Sequence, residues 1–213
     1  VKDTIILTLP TDSTITGCDL VLENGTNGGT ITKLCGGSAT AGNNFLFPQG
    51  DFTIFNSPLG GTVEYYGAIN GTITGTNFYN NLNFSDASIK TIGNNTITVF
   101  GNLKIQGKTK KNDVFNSMVN IRGNYENNVS PTALLPGSSY FNFNGGNQIL
   151  GGSFNSTFGN LSFAGTGTKL LNKSVVVNEN ISINSGTTVD VSVSNSGIQL
   201  KKNWINNGGF NAQ

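Results

Sequence analysis

Hydrophobic and polar positions alternate along the chain in short runs. In Thr96-Ile97-Thr98-Val99 and in Asn102-Leu103-Lys104-Ile105-Gln106 every second residue is apolar, and Val175 to Val177 and Ile181-Ser182-Ile183 repeat the pattern. A period of two sends successive side chains to opposite sides of an extended backbone, so these runs predict strands with one buried and one wet face. Ala, Leu, Glu and Lys build no sustained helical stripe, and Gly or Asn interrupts the pattern throughout, so helices are not predicted. Asn-Gly pairs beginning at Asn24, Asn27, Asn70, Asn144 and Asn207 supply turns, because both residues tolerate a positive φ.

The chain also matches itself at a shift of 78 or 79 residues. Tyr79-Asn80-Asn81-Leu82-Asn83-Phe84 aligns with Phe158-Gly159-Asn160-Leu161-Ser162-Phe163, and Asn102-Leu103-Lys104-Ile105 aligns with Asn180-Ile181-Ser182-Ile183. Val119-Asn120-Ile121 matches Ile198-Gln199-Leu200, with Tyr125 opposite Trp204, and upstream Thr62 to Gly67 corresponds to Tyr140 to Gly145. Repetition of this kind is the signature of an array. It divides the chain into a diverged partial repeat (1–57), a repeat copy (58–128) and a second copy (129–213) truncated at its C-terminal end. The piece is expected to be internal to a longer array.

Strand centres near Tyr65, Leu82, Leu103 and Val119 lie roughly 16 to 21 residues apart, an interval that suits one coil of a stacked solenoid. The predicted fold is therefore all-β, a parallel β-helix or β-solenoid built from repeats of about 79 residues. Tandem β-sandwiches are the alternative, although one per copy would be short for a sandwich of about 100 residues.

Composition narrows the function. The 213 residues include 33 Asn, 29 Gly, 24 Thr and 18 Ser, about half of the chain, while only 11% are charged and none is His. A net charge of +1 without a basic stripe argues against nucleic acid and against electrostatic docking on a membrane. No apolar run approaches the roughly 18 residues that span a bilayer, so direct membrane insertion is not expected. Without His the commonest general base and transition-metal ligand are missing, and no cofactor is predicted. A hydrophobic share of 36%, rich in Phe, Ile and Val, argues against disorder.

Several residues are candidates for chemistry or contact. Cys18 and Cys35 are the only cysteines, and they read either as a disulfide or as two separately buried thiols. The 11 acids form no recurring Asp-x-Asp and no recurring acid beside a basic partner, so a carboxylate pair would have to meet across coils, and catalysis is not expected. Lys108, Lys110 and Lys111 form a cationic cluster, read as a solvated edge or as a contact for an anionic glycan. Tyr65, Tyr66, Tyr79, Tyr125, Tyr140 and Trp204 would stack on sugars if outward, but the pairing of Tyr79 with Phe158 and of Tyr125 with Trp204 favours core packing there. The loop from Val129 to Ser139, with Pro131 and Pro136, is longer than its counterpart and is a place for copy-specific contacts.

The blocks Phe158 to Phe163, Asn180-Ile181-Ser182-Ile183-Asn184-Ser185-Gly186-Thr187, and Asn203-Trp204-Ile205-Asn206-Asn207-Gly208-Gly209-Phe210 resemble the repeats of very large secreted surface proteins of Bacteroidetes. Gliding-motility adhesins of the SprB type and related type 9 secretion cargo carry such repeats, and the resemblance covers most of residues 58 to 213. It implies an extracellular, non-catalytic stalk or adhesive shaft on the outer cell surface, used for attachment or gliding traction. Its partners would be neighbouring repeats of the same chain and a surface polysaccharide or glycan. It also implies O-glycosylation at Thr4 and Ser13, which follow Asp3 and Asp12. The function class set against it is a solenoid that binds or cleaves polysaccharide.

Overall fold

The computed structural model describes residues 22–24, 30–35, 45–46, 62–66, 70–73, 78–79, 81–93, 96–111 and 117–212. Thr4, Ser13 and Cys18 lie outside them. Among the described residues there are 23 strands and no helix. The first are β1 (Leu22–Asn24), β2 (Thr30–Cys35), β3 (Phe45–Leu46), β4 (Thr62–Tyr66), β5 (Gly71–Ile73) and β6 (Phe78–Tyr79). There follow β7 (Asn81–Ile92), β8 (Ile97–Val99), β9 (Leu103–Lys111), β10 (Met118–Ile121), β11 (Tyr125–Asn127) and β12 (Leu134–Leu135). Next come β13 (Tyr140–Phe143), β14 (Gln148–Gly152), β15 (Ser156–Phe158), β16 (Asn160–Phe163), β17 (Gly167–Leu171) and β18 (Val175–Val177). The chain closes with β19 (Ile181–Ile183), β20 (Thr187–Asp190), β21 (Ile198–Leu200), β22 (Trp204–Asn206) and β23 (Gly209–Asn211).

These strands stack into a parallel β-solenoid of about six turns with a spacing of roughly 21 residues. Each later coil contributes one strand to each of three faces. Face 1 runs β6-β8-β10-β13-β16-β19-β22, face 2 runs β1-β2-β4-β7-β9-β11-β14-β17-β20-β23, and face 3 carries β15-β18-β21. In the earlier coils faces 2 and 3 merge. The second half of β7 pairs with β5, and the second half of β9 pairs with β12, so one long strand serves both faces. Among the described residues all strand pairings are parallel except that of β1 with β2, which is antiparallel.

Register places like over like. On face 1 Ile97, Val119, Phe141, Leu161 and Ile181 form one inward column, with Val99, Ile121, Phe143, Phe163 and Ile183 beside it. All ten are buried, and successive coils bring each next to its counterpart above and below. Aromatic rings fill the centre. Phe143 lies 6.1 Å from Tyr125, 6.1 Å from Phe158 and 6.0 Å from Phe163. The buried hydroxyls are satisfied internally: those of Tyr65 and Tyr79 bond each other at 2.9 Å, and Tyr125 meets Ser156 at 3.0 Å. Burial raises all three phenols, that of Tyr79 to about 12.

The stacking unit is the single coil, and the 79-residue match has a different meaning from a stacking period. Leu82 stands on face 2 and its match Leu161 on face 1, while Val99 stands on face 1 and its match Val177 on face 3. Leu103 and Ile181 are displaced in the same sense. The shift amounts to four coils less one face. Every face uses the same short phrase, a corner residue followed by apolar-x-apolar, so sequence similarity matches strand to strand without marking the side of the solenoid. Face 2 also runs without interruption past residues 57/58, through the pairing of β2 with β4, and past 128/129, through that of β11 with β14.

Candidate functional site

Outward positions form axial rows. Along face 2 the register aligns Glu64, Asn83, Lys104 and Glu126. Lys104 pairs with Glu126 at 3.4 Å, and Ser85 donates to Glu64 at 2.6 Å. Beside this row runs a ladder of asparagines. The Asn81 carbonyl oxygen Oδ1 accepts the Asn102 amide N–H at 2.8 Å, Asn102 does the same for Asn124 at 2.8 Å, and Asn124 for Ile149 at 2.9 Å. A second ladder at the corner entering face 1 joins Asn160, Asn180 and Asn203, each oxygen accepting both the backbone and the side-chain N–H of the next asparagine. The abundance of Asn therefore serves the corners, where a side-chain amide satisfies a backbone group that the strands leave unpaired.

Between the two merged strands lies a groove of about 330 Å³ lined by Asn81, Asn83, Asn102, Lys104 and Gln106 over Leu82. Asn83 is 8% exposed, and its Oδ1 has no hydrogen-bond partner. A second depression of about 280 Å³ on face 3 is lined mainly by Ser174, Val175, Val176, Ile198 and Gln199. At the edge of face 1, Phe78 and Phe100 stack with centroids 6.4 Å apart, and the Arg122 guanidinium sits 4.6 Å above the Phe100 ring.

The candidate contact residues are dispersed. Lys108 and Lys110 point outward from β9, but Lys111 is fully buried and donates to the Gly93 carbonyl, so the cationic cluster is two residues and not three. The cause is the parity of the strand: Leu103, Ile105, Gly107, Thr109 and Lys111 face inward together. Pro131 is exposed whereas Pro136 is buried, and the segment between them is not a free loop. It contributes β12 to the solenoid wall and places Ala133 and Leu134 in the core. Of the aromatic residues, Tyr65, Tyr79 and Tyr125 are internal, Tyr140 is half-buried, and Trp204 is 39% exposed in the final coil.

Three lysines, Lys90, Lys111 and Lys169, occupy the interior. Lys169 donates to the carbonyls of Gly145 at 2.8 Å, Gly146 at 2.5 Å and Thr166 at 3.1 Å, and Lys90 to the Ser88 hydroxyl at 2.6 Å. Burial pulls the ammonium groups of Lys111 and Lys169 down to about 8. Lys111 and Lys169 thus clamp main-chain carbonyls from inside. Inward parity with Ile92, Ile105 and Leu171 was the signal in the sequence that marks these lysines as internal.

Among the acids, the two on the face 2 row, Glu64 and Glu126, stand three strand steps apart, about 14 Å at about 4.8 Å per step. Glycosidase carboxylate pairs sit within about 5–9.5 Å. Asp190 is held below the ordinary carboxylate range by the Ser192 hydroxyl and amide, a local turn bond. Among the described residues no three His, Cys, Asp or Glu side chains come together.

The protein is thus a three-faced parallel β-solenoid whose described outer faces carry asparagine ladders at the corners and mixed rows of amides and charged side chains. It matches no protein-family model, no curated protein and no solved structure.

Proposed function

We propose that the chain is a segment of a secreted bacterial cell-surface adhesin or stalk, non-catalytic, serving attachment or gliding traction through repetitive multivalent contacts. The observation that carries this reading is the uninterrupted axial stack, in which coil follows coil along one axis at a spacing of about 4.8 Å. Such a rod presents many weak sites in fixed array, and their effect sums through effective concentration. Neighbouring repeats of the same chain are the partner this reading assigns to the terminal coil, where Trp204 and Phe210 stand at inward positions but are exposed. The surface rows of Asn, Ser and Thr fit a glycan-rich exterior.

An antibody to this chain, blotted on whole source cells before and after mild external protease, tests the placement. A band removed by the protease is expected. A band protected until the cells are lysed would contradict a surface stalk.

A further inference from the structure

The corner that joins face 1 to face 2 carries the only arginine in the 213 residues, Arg122. It is exposed, and its guanidinium is held 4.6 Å above the ring of Phe100 in the coil below, which in turn stacks on Phe78 with centroids 6.4 Å apart. The cation–π contact fixes a side chain that would otherwise sample many rotamers. It engages the face of the guanidinium and leaves the N–H edge for an in-plane acceptor. Among the described residues no carboxylate pairs with that edge and no carbonyl accepts from it.

Charge sets the class of ligand. The corner residues of successive coils, Phe100 to Asn102, Arg122 to Asn124, Asn144 to Asn147 and Ala164 to Thr166, include no acid. The outward row of face 1, Thr98, Asn120, Asn142 and Ser162, is uncharged. On face 2 the row Lys33, Glu64, Lys104 and Glu126 holds two charges of each sign, with Glu126 on Lys104 at 3.4 Å and Ser85 donating to Glu64. From inside, the Lys169 ammonium donates to the carbonyls of Gly145 and Gly146, and Gly145 lies directly against the Arg122 backbone. Two positive charges and no carboxylate at one corner attract an anion.

An arginine edge matches the two oxygens of a carboxylate in a bidentate fork, which a lysine cannot copy. Beside it, Asn102 and Asn124 have their Oδ1 atoms engaged by backbone amides of the next coil, so their side-chain N–H groups remain for a ligand, and the 42% exposed Phe78 ring offers an apolar surface. A uronate, with a carboxylate, hydroxyls and C–H faces on one ring, fits that combination. We infer that Arg122 anchors a subsite for an anionic saccharide, its guanidinium forking the carboxylate of a uronate unit and the amides of Asn102 and Asn124 meeting neighbouring hydroxyls. This rests on the reading of the chain as a glycan-contacting surface protein, and it names the site and the ligand class.

A single arginine gives a single guanidinium Nε–H resonance, so the test needs no other marker. The full chain, isotope-labelled, is titrated with polygalacturonate, and with neutral dextran, dextran sulfate and polyglutamate for comparison. Polygalacturonate is expected to shift the Arg122 Nε–H resonance and the side-chain amides of Asn102 and Asn124, dextran to leave them in place, and the other two polyanions to bind more weakly. Arg122→Lys, at an exposed position, keeps the charge and loses the fork, and should weaken binding about tenfold, the worth of one charge-assisted hydrogen bond. Equal binding by Arg122→Lys, an Arg122 resonance that polygalacturonate leaves unmoved, or dextran sulfate or polyglutamate binding as tightly as polygalacturonate would each overturn the assignment. None of those outcomes bears on whether external protease reaches the chain on cells, so the two readings fail separately.

Discussion

The interior coils and the final coil carry equivalent residues under opposite conditions. Trp204 stands in register with Ile181, Asn206 with Ile183, and Phe210 with Val189, so each occupies an inward position. Ile181, Ile183 and Val189 are fully buried, whereas Trp204 is 39% and Phe210 37% exposed, although the two rings pack edge-on at 5.1 Å. The difference shows that a coil of this protein does not bury its own apolar residues. The coil stacked on it does so. Stability is accordingly a sum of nearest-neighbour interfaces, and a residue's worth depends on whether both of its neighbours are present.

The largest effect should come from removing a ring that is enclosed on both sides. Phe143→Ala is expected to cost about 3–5 kcal/mol, since the cavity lies among Tyr125, Phe158 and Phe163, whereas Phe210→Ala should cost below about 1 kcal/mol. Denaturant titration of the two variants measures the contrast, and equal losses would break the nearest-neighbour account.

A backbone comparison comes next. Gly152 has a φ of +103°, and a Cβ there would sit 2.4 Å from the Asn127 carbonyl oxygen, which belongs to the coil below. Gly152→Ala should therefore destabilise by about 1–3 kcal/mol. Gly146→Ala meets nothing within 4 Å and should fall within about 0.5 kcal/mol of the parent.

The internal lysines give the coils a dependence on pH. Lys111 and Lys169 titrate near 8 when folded, below their ordinary 10.5. Below about pH 8 both states are protonated and burial of charge opposes folding in full. Between about 8 and 10.5 the unfolded chain binds the extra protons, so stability rises with pH. Above about 10 the raised phenols of Tyr65, Tyr79 and Tyr125 reverse the trend, because the unfolded chain then loses protons that the fold retains. Denaturation midpoints across pH 7 to 10 should climb in the parent and climb less in Lys169→Met. An unchanged slope would remove Lys169 as a cause.

The smallest expected effect concerns a ladder that stops. Asn142 donates its side-chain amide to Asn120 at 2.9 Å, but the next coil places Ser162 in register with Asn142, and the Asn142 oxygen is left without a partner. Ser162→Asn should extend the ladder and add about 0.5–1.5 kcal/mol. A melting comparison that finds the variant no more stable than the parent would show that outward amide rows contribute register without stability.

Much of this architecture was legible in the chain. Alternation in Ile97-Thr98-Val99 and in Leu103-Lys104-Ile105 marks strands, and the interval between Tyr65, Leu82 and Leu103 is the coil repeat, all three lying on face 2. The sidedness was not legible, because corner-apolar-x-apolar phrases recur on every face and only hydrogen-bonded register distinguishes Leu82 from Leu161. The inward turn of Lys111 was readable by counting parity from Leu103, but cationic character pointed the other way. The groove at Asn83 had no sequence signal at all, since its lining joins residues about 21 apart whose proximity exists only once coils stack.

Hydrogen exchange resolved residue by residue tests the stacking account most directly. Amides of β16 and β19, enclosed between coils, should exchange slowest, with protection falling through β18 and β20 to the terminal β21, β22 and β23. Uniform protection from β13 to β23, lost in one cooperative step, would contradict it.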